Sequence, residues 1–177
     1  MPPGRTAAVL LSALLLAACH GDPKPGNGCR ETPSGLPVPR FVSLKHDPAN
    51  ARGGPGDDYR LLWVYHTKGL PLLVFEETAD WRRIKDPEGQ LAWVHKRVVF
   101  EGGHSVMRTA ATPLSLRDHP AADARVTAVL ASHAIAGLKS CKDNWCQVTV
   151  DRASGWAPRA ELWGAETPPP GEGCKRP

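Results

Sequence analysis

The chain has 177 residues, 41% of them hydrophobic, and a formal net charge of +4 at pH 7. Arg5 lies in an N-terminal segment with the features of a removable signal, which leaves +4 − 1 = +3 on the remainder. A charge this small predicts no nucleic-acid partner, because binding to a phosphate backbone needs a concentrated excess of Lys and Arg. The sequence also has no Gly-x-Ser-x-Gly, His-Glu-x-x-His, phosphate-loop or Ser-His-Asp signature, so we expect no enzyme and no cofactor.

Residues 1–18 have the parts of a secretory signal peptide: Arg5, then an apolar run over 7–18 that ends in small residues. The run is shorter than the roughly 20 residues that a membrane-spanning helix needs, which makes a retained anchor the weaker interpretation. Residues 16–19, with sequence Leu-Ala-Ala-Cys, look like a bacterial lipobox. We therefore expect a lipid on Cys19 to anchor an exported protein to a membrane; ordinary cleavage beside Cys19 is the alternative.

Pro, Gly and polar residues without an apolar period follow over 19–35, and residues 165–177 are similar. Both segments are typical of extended spacers, the first being a tether behind the lipid. The Pro-rich tail also permits a second interpretation, as a ligand for aromatic grooves.

Between the spacers, Gly and Pro separate short β-branched and aromatic runs, which predicts an all-β fold. Residues 81–84 and 92–95 recur 63 to 64 positions later as 145–148 and 155–158, so the chain contains two copies of one module. The predicted strands of the first copy are 41–44, 50–52, 61–65, 70–77, 81–85 and 91–95. Those of the second are 105–108, 114–117, 126–130, 134–140, 145–150 and 155–157.

Removing a lipidated Cys19 leaves four cysteines, an even number in an oxidising compartment. Cys141 and Cys146 flank a short polar loop between two predicted strands, where a disulfide is expected. The matching positions of the first copy are Glu77 and Arg82, residues of opposite charge, which supports cross-strand pairing at this place. The two remaining cysteines lie in the spacers and would pair to join the ends of the chain. They are Cys29 and Cys174.

A metal site is the alternative use of these cysteines, with His119 or His133 completing the ligands. The Cys-x4-Cys spacing is loose for zinc and the compartment favours disulfides, so we expect no metal.

Residues 50–56, followed by hydrophobic strands and by Trp81 and Trp93 in their repeated contexts, resemble the bacterial Src homology 3-type (SH3) domain. The lead-in at 35–45 is similar to the version found as tandem copies in exported bacterial proteins. The resemblance implies two tandem small SH3-like, partly open β-barrels over 36–102 and 103–164. Neither copy has the acidic and tyrosine-rich loop motifs by which eukaryotic members bind Pro-rich peptides, so that activity is not expected.

The first copy has aromatic residues that the second lacks. Tyr59, Trp63 and Tyr65 correspond to Ala124, Ala128 and Leu130. Such unmatched aromatics are candidate ligand-binding residues, with Arg52 and its Gly-rich loop beside them. Binding is therefore expected in the first copy, with the second as a stapled support.

The tryptophans that recur are expected to be core residues, because both copies must fold alike. They are Trp81 and Trp93, which recur as Trp145 and Trp156. A basic cluster in the first copy is predicted to be a solvated sheet face, with an anion site as the alternative. It consists of Arg82, Arg83, Lys85, Lys96 and Arg97.

The leading hypothesis is a non-catalytic lipoprotein of the cell envelope whose tandem modules bind peptidoglycan peptide or a protein partner. It would face the periplasm or the cell exterior, and His20 after Cys19, where Asp would favour the inner membrane, favours the outer one. A purely structural or scaffolding envelope protein without affinity for the wall is the alternative. An enzyme with an unrecognised site is more remote.

Overall fold

The structure is a computed structural model that describes residues 32–166. Five predictions lie outside this range: the signal peptide, the lipid on Cys19, the tether as far as residue 31, the Cys29–Cys174 pair and the tail from 167. Lipidation and the pairing of the spacer cysteines therefore stay predictions. Within the described range no helix is long and apolar enough to cross a membrane.

The first module is an antiparallel sheet of seven strands. The strands are β1 (Arg40–Leu44), β2 (Ala49–Arg52), β3 (Leu61–Tyr65), β4 (Pro71–Glu77), β5 (Trp81–Lys85), β6 (Leu91–His95) and β7 (Val99–Phe100). In spatial order they run β3-β2-β6-β5-β4-β1-β7. A single turn of 3-10 helix at Lys96–Val98 joins β6 to β7 along the chain.

The second module is an antiparallel sheet of six strands in the equivalent order, β10-β9-β13-β12-β11-β8. A 3-10 turn at Arg159–Glu161 follows its last strand. An isolated bridge between Met107 and Trp163 stands where β7 pairs with β1 in the first module. The strands are β8 (Ser105–Met107), β9 (Leu114–Arg117), β10 (Val126–Leu130), β11 (Ile135–Lys142), β12 (Trp145–Val150) and β13 (Ala153–Pro158).

The predicted all-β fold with two tandem modules is confirmed, and neither sheet closes into a complete barrel. Each predicted strand is present, with ends that differ by a residue or two. β7 was not predicted, because two residues are too few to show an alternating pattern. The second module also continues past its predicted end at 164: Ala165, assigned to the tail, is buried in the core.

Each core forms because alternate residues of a strand point to opposite faces of the sheet. In β6, Ala92 and Val94 are buried while Trp93 between them faces outward. The first core consists of Val42, Leu44, Ala49, Ala51, Leu70, Leu72, Val74, Ile84, Ala92, Val94 and Val99. The second consists of Val106, Leu116, Leu130, Ala136, Cys146, Val148, Ala157, Leu162 and Ala165.

The two modules are in direct contact through a polar and an aromatic pair. The hydroxyls of Ser43 and Ser105 lie 2.8 Å apart, and the Ser105 amide donates to the Ser43 hydroxyl at the same distance. The ring of Phe41 meets that of Trp163 edge to face at 5.0 Å. Because both serines are buried, their hydrogen bonds are shielded from water and fix the contact in one geometry.

Candidate functional site

Glu77 and Arg82, predicted to face each other, are cross-strand partners in β4 and β5. Arg82 Nε lies 3.2 Å from Glu77 Oε2, and both side chains are buried. Arg40 and Glu101 complete a network of two cations and two carboxylates, in which Arg40 Nη2 lies 2.6 Å from Glu77 and 2.8 Å from Glu101. The charges sum to zero, which makes their burial tolerable.

This network sets the ionisation of both carboxylates. Burial alone would raise the pKa of Glu77, but hydrogen bonds from Ser34 and Arg40 outweigh it and lower the pKa to about 2. Burial also opposes ionisation of Glu101, where hydrogen bonds from Arg82 and Arg40 lower the pKa. Both carboxylates therefore stay charged at neutral pH and serve as structural ion-pair partners.

In the second module the same two positions are Cys141 and Cys146, cross-strand partners that form a disulfide with Cα atoms 4.0 Å apart. Both sulfurs are consumed by this bond, so they offer no thiolate to a metal ion. Within residues 32–166 no group of three or more His, Cys, Asp or Glu is arranged to hold a metal.

Arg52, a predicted ligand-binding residue, closes its own loop. Its Nη1 donates to the carbonyl oxygen of Tyr59 at 2.9 Å. Arg117 occupies the equivalent position in the second module and donates to the carbonyl oxygen of Ala124 at 2.6 Å. The repetition shows that this arginine is a loop clamp that both modules need, and a ligand role for Arg52 stays a prediction.

Tyr59 is exposed over 46% of its surface and its ring lies against the backbone of Gly54. A side chain at Gly54 would collide with the ring, which explains the glycine at this position. Ala124, the counterpart of Tyr59, is buried in the second module. The exposed tyrosine thus keeps one face available to solvent.

Trp63 and Tyr65 lie on the same side of β3 and pack partly against the first core. Their rings meet edge to face at 6.0 Å, and the Tyr65 hydroxyl donates to Asp86 Oδ2 at 3.0 Å. Burial, the largest cause, raises the pKa of Tyr65, so its hydroxyl remains a donor. The four predicted residues thus form two contacting pairs, Trp63 with Tyr65 through their rings and Arg52 with Tyr59 through a hydrogen bond, and their binding of a ligand stays a prediction.

The recurring tryptophans occupy the predicted core only in part. Trp81 is buried, as predicted, and its ring meets that of His95 edge to face at 5.2 Å. Trp93, Trp145 and Trp156 are only half-buried. Because the strand pattern puts Ala92, Val94 and Ala157 inside, the neighbouring tryptophans must face outward.

Trp93 and Trp156 each occupy the middle of a row of residues across the outer face of a sheet. In the first module Trp93 is the cross-strand partner of both Arg52 and Arg83. In the second, Trp156 is the partner of Arg117 and Gln147. We call these the Arg–Trp rows: Arg52, Trp93 and Arg83 in the first module, and Arg117, Trp156 and Gln147 in the second.

The first Arg–Trp row continues into a polar and aromatic edge. Arg83 lies 5.2 Å from the centre of the Phe75 ring and 2.8 Å from Glu76 Oε2. Arg83 belongs to the basic cluster that was predicted to be a solvated face, whereas Arg82 of the same cluster is buried. The row thus combines aromatic surface with guanidinium groups, a combination common in protein-binding surfaces.

A concave pocket of about 620 Å³ lies in the second module, which was expected to be only a support. Its wall combines polar and apolar side chains from the β11–β12 turn, the 3-10 turn and the segment beyond it. The lining residues are Thr109, Asn144, Pro158, Arg159, Ala160, Leu162, Trp163 and Glu166. These residues are spread over positions 109 to 166, so no local sequence pattern groups them into one site.

Two antiparallel sheets of this strand order, each with a 3-10 turn before its final pairing, define a pair of small SH3-like barrels. The family model of the bacterial SH3 domain matches residues 45–101 and 110–164. The chain therefore belongs to the bacterial SH3 domain family and contains two copies of the domain.

The fold is also similar to two solved structures, NlpC2 and NlpC1 from Trichomonas vaginalis, each with a TM-score of 0.34 and 9% identity. Each similarity covers 71% of this chain, and 48% of NlpC2 and 45% of NlpC1. The chain thus spans about half the length of these two proteins. No curated protein matches it.

Proposed function

We propose that this protein is a non-catalytic lipoprotein of the cell envelope that binds a wall component through the outer faces of its two modules. The proposal rests on the Arg–Trp rows, because both modules keep a half-buried tryptophan outside the core with an arginine as its cross-strand partner on one side. Packing of the core does not explain this repetition. Bacterial SH3 domains are typically cell-wall-binding modules, which supports the wall as the target.

The chemistry of the rows suits peptidoglycan peptide. An indole offers a rigid apolar face with little conformational entropy to lose on binding. Carboxylates in a bound peptide would pair with neighbouring guanidiniums, which donate hydrogen bonds in a fixed fork. In the described structure these groups are the partly exposed guanidinium of Arg83 and the half-buried rings of Trp93 and Trp156.

Two sites on one chain also multiply a weak affinity. The wall is a polymer, so a second module binds at high effective concentration once the first is engaged. The buried contact between Ser43 and Ser105 favours this, because it limits the orientations that the two sites adopt. A lipid on Cys19 would add a third attachment and keep both modules close to the membrane.

Isolated sacculi test this proposal. Mature protein is expected to co-sediment with them, and a variant with Trp93→Ala and Trp156→Ala is expected to stay in solution. Phe100→Ala is a matched control, because Phe100 is a 52% exposed aromatic outside both rows. If mature protein stays in solution and instead purifies with a stoichiometric envelope protein, the modules act as a scaffold without affinity for the wall.

A further inference from the structure

The pocket of the second module contains the cation Arg159, and the equivalent cation of the first module, Lys96, has an ion-pair partner that Arg159 does not have in the described residues. Lys96 begins the 3-10 turn of the first module, and its Nζ lies 2.8 Å from Asp80 Oδ1. Arg159 begins the corresponding turn of the second module. The residue equivalent to Asp80 is Asn144, an uncharged amide, so this local acid is absent.

The backbone shows that these two places are equivalent. The Lys96 amide donates to the Asp80 carbonyl at 2.7 Å, and the Arg159 amide donates to the Asn144 carbonyl at 2.8 Å. The same turn is therefore held in the same way in both modules. Only the side chains differ: the first module has a lysine paired with an aspartate, and the second has an arginine beside an uncharged amide.

Arg159 makes no ion pair or side-chain hydrogen bond with any residue of 32–166, and its Nε is buried without a partner. The charge of this guanidinium is therefore not neutralised within the described residues, and a bound anion would pair with it. Neither of the two nearby acids pairs with Arg159 in the described residues. Glu161 pairs with Arg108, and the Glu166 carboxylate accepts the Gly164 amide at 2.9 Å.

Apart from Thr109 and the carboxylate of Glu166, the remaining walls are apolar and firmly placed. Trp163 is hydrogen-bonded through its backbone to Met107 in both directions at 2.9 Å, and its ring packs against Phe41 of the first module. Leu162 forms the floor as part of the second core. A volume of about 620 Å³ suits a ligand of a few residues.

We propose that this pocket binds a short peptide through a free carboxylate, held by the Arg159 guanidinium and the Asn144 side-chain amide, with an apolar side chain against Trp163. Arginine binds a carboxylate with two parallel hydrogen bonds, and the amide nitrogen of asparagine is a further donor. A peptide amide offers no negative charge and would lose most of this interaction. The inference goes beyond the proposed function, because it places a second, chemically distinct site outside the Arg–Trp rows.

Titration of mature protein with acetyl-dialanine as the free acid and as the amide, followed by NMR chemical shifts, tests the proposal. The free acid is expected to bind about tenfold more tightly or better. Asn144→Asp recreates the ion pair of the first module and should reduce binding by a similar factor. Asp143→Asn is the matched control, because it changes one charge on the adjacent residue outside the pocket lining and should bind as wild type does.

Equal binding of acid and amide, no binding of either, or an Asn144→Asp variant that binds as wild type does would each overturn the carboxylate site. Peptides that end in D-alanine or L-alanine distinguish the source of the ligand. Tighter binding of the D-form indicates wall peptide, and tighter binding of the L-form indicates the C-terminus of a protein. The titration uses soluble peptides, so its failure leaves the co-sedimentation test of the Arg–Trp rows unaffected.

Discussion

Arg82 and Glu77 form a buried ion pair, Nε to Oε2 at 3.2 Å, at the two positions where the second module has the Cys141–Cys146 disulfide. In both modules these residues are cross-strand partners on neighbouring strands. One hairpin is thus held by charges that respond to pH and the other by a covalent bond that responds to reductant. The stabilities of the two modules should consequently depend on different conditions.

Reduction of the hairpin disulfide is expected to lower the free energy of unfolding by about 2 kcal/mol, as closing a short loop in the unfolded chain predicts. The measurement is chemical denaturation with and without reductant, in a background where Cys29 and Cys174 are replaced by Ser. A variant that also has Cys141→Ala and Cys146→Ala should show no effect of reductant. An unchanged denaturation midpoint in the first protein would show that the disulfide contributes nothing.

Replacing Glu77 by glutamine is expected to lower the free energy of unfolding above about pH 5 by about 3 kcal/mol. This figure is the free energy that corresponds to a pKa lowered from 4.5 to about 2 on folding. Because the folded-state pKa is depressed, this stabilisation exists above the unfolded pKa and is lost as the pH falls towards 2. The difference between wild type and Glu77→Gln should therefore shrink between about pH 5 and pH 2. Thermal unfolding across that range measures it.

Glu76→Gln is the control for this titration. Glu76 is the next residue in β4, but its side chain is 52% exposed and its pair with Arg83 lies on the surface. Surface pairs contribute little, so this variant should follow the wild-type curve within about 0.5 kcal/mol. A gap for Glu77→Gln that stays constant with pH would contradict an ionised, ion-paired Glu77.

Arg52→Ala and Arg117→Ala should each loosen only their own loop. Each guanidinium donates to a carbonyl seven residues on, and loss of such a charged hydrogen bond costs about 1 to 3 kcal/mol. Hydrogen exchange should become faster for amides 53–60 in the first variant and for 118–124 in the second. Because Arg52 also belongs to the first Arg–Trp row, Arg52→Ala is expected to bind the wall more weakly as well. Unchanged exchange in either variant would contradict the loop clamp.

Cys19→Ser should abolish acyl labelling and release the protein from membranes, because the lipid is the expected attachment. Radiolabelled palmitate and fractionation of cells measure the two effects. The soluble fraction of a strain with intact Cys19 is the reference. Continued membrane retention of the Cys19→Ser protein would contradict the anchor.

Most of the fold followed from the sequence because alternation and repetition are local signals. The segment 92–95, Ala-Trp-Val-His, even shows which tryptophan faces outward, since Ala92 and Val94 are the small and β-branched residues of a core face. Recurrence between the two copies predicts that Trp93 is a core residue, whereas alternation along the strand predicts that it faces outward. The structure agrees with alternation. The equivalent Trp156 lies between Gly155 and Ala157 and shows the same signal.

The contacts that join distant parts of the chain had no such signal. Ser43 and Ser105 are separated by 62 positions, and an isolated serine is common on any surface. The unpaired Arg159 was detectable in principle, because alignment of the copies sets Asn144 against Asp80 and Arg159 against Lys96. Recognising it required knowing that Asp80 and Lys96 pair, which only the folded turn reveals.

The central claim is that the Arg–Trp rows of the two modules bind the cell wall together. It is tested most directly by the fraction of protein bound to purified sacculi across protein concentrations, for wild type, Trp93→Ala, Trp156→Ala and the double variant. Each single variant is expected to bind about tenfold or more weakly, and the double variant to lose binding, with all four proteins equally folded. Equal binding by wild type and the folded double variant would contradict the claim.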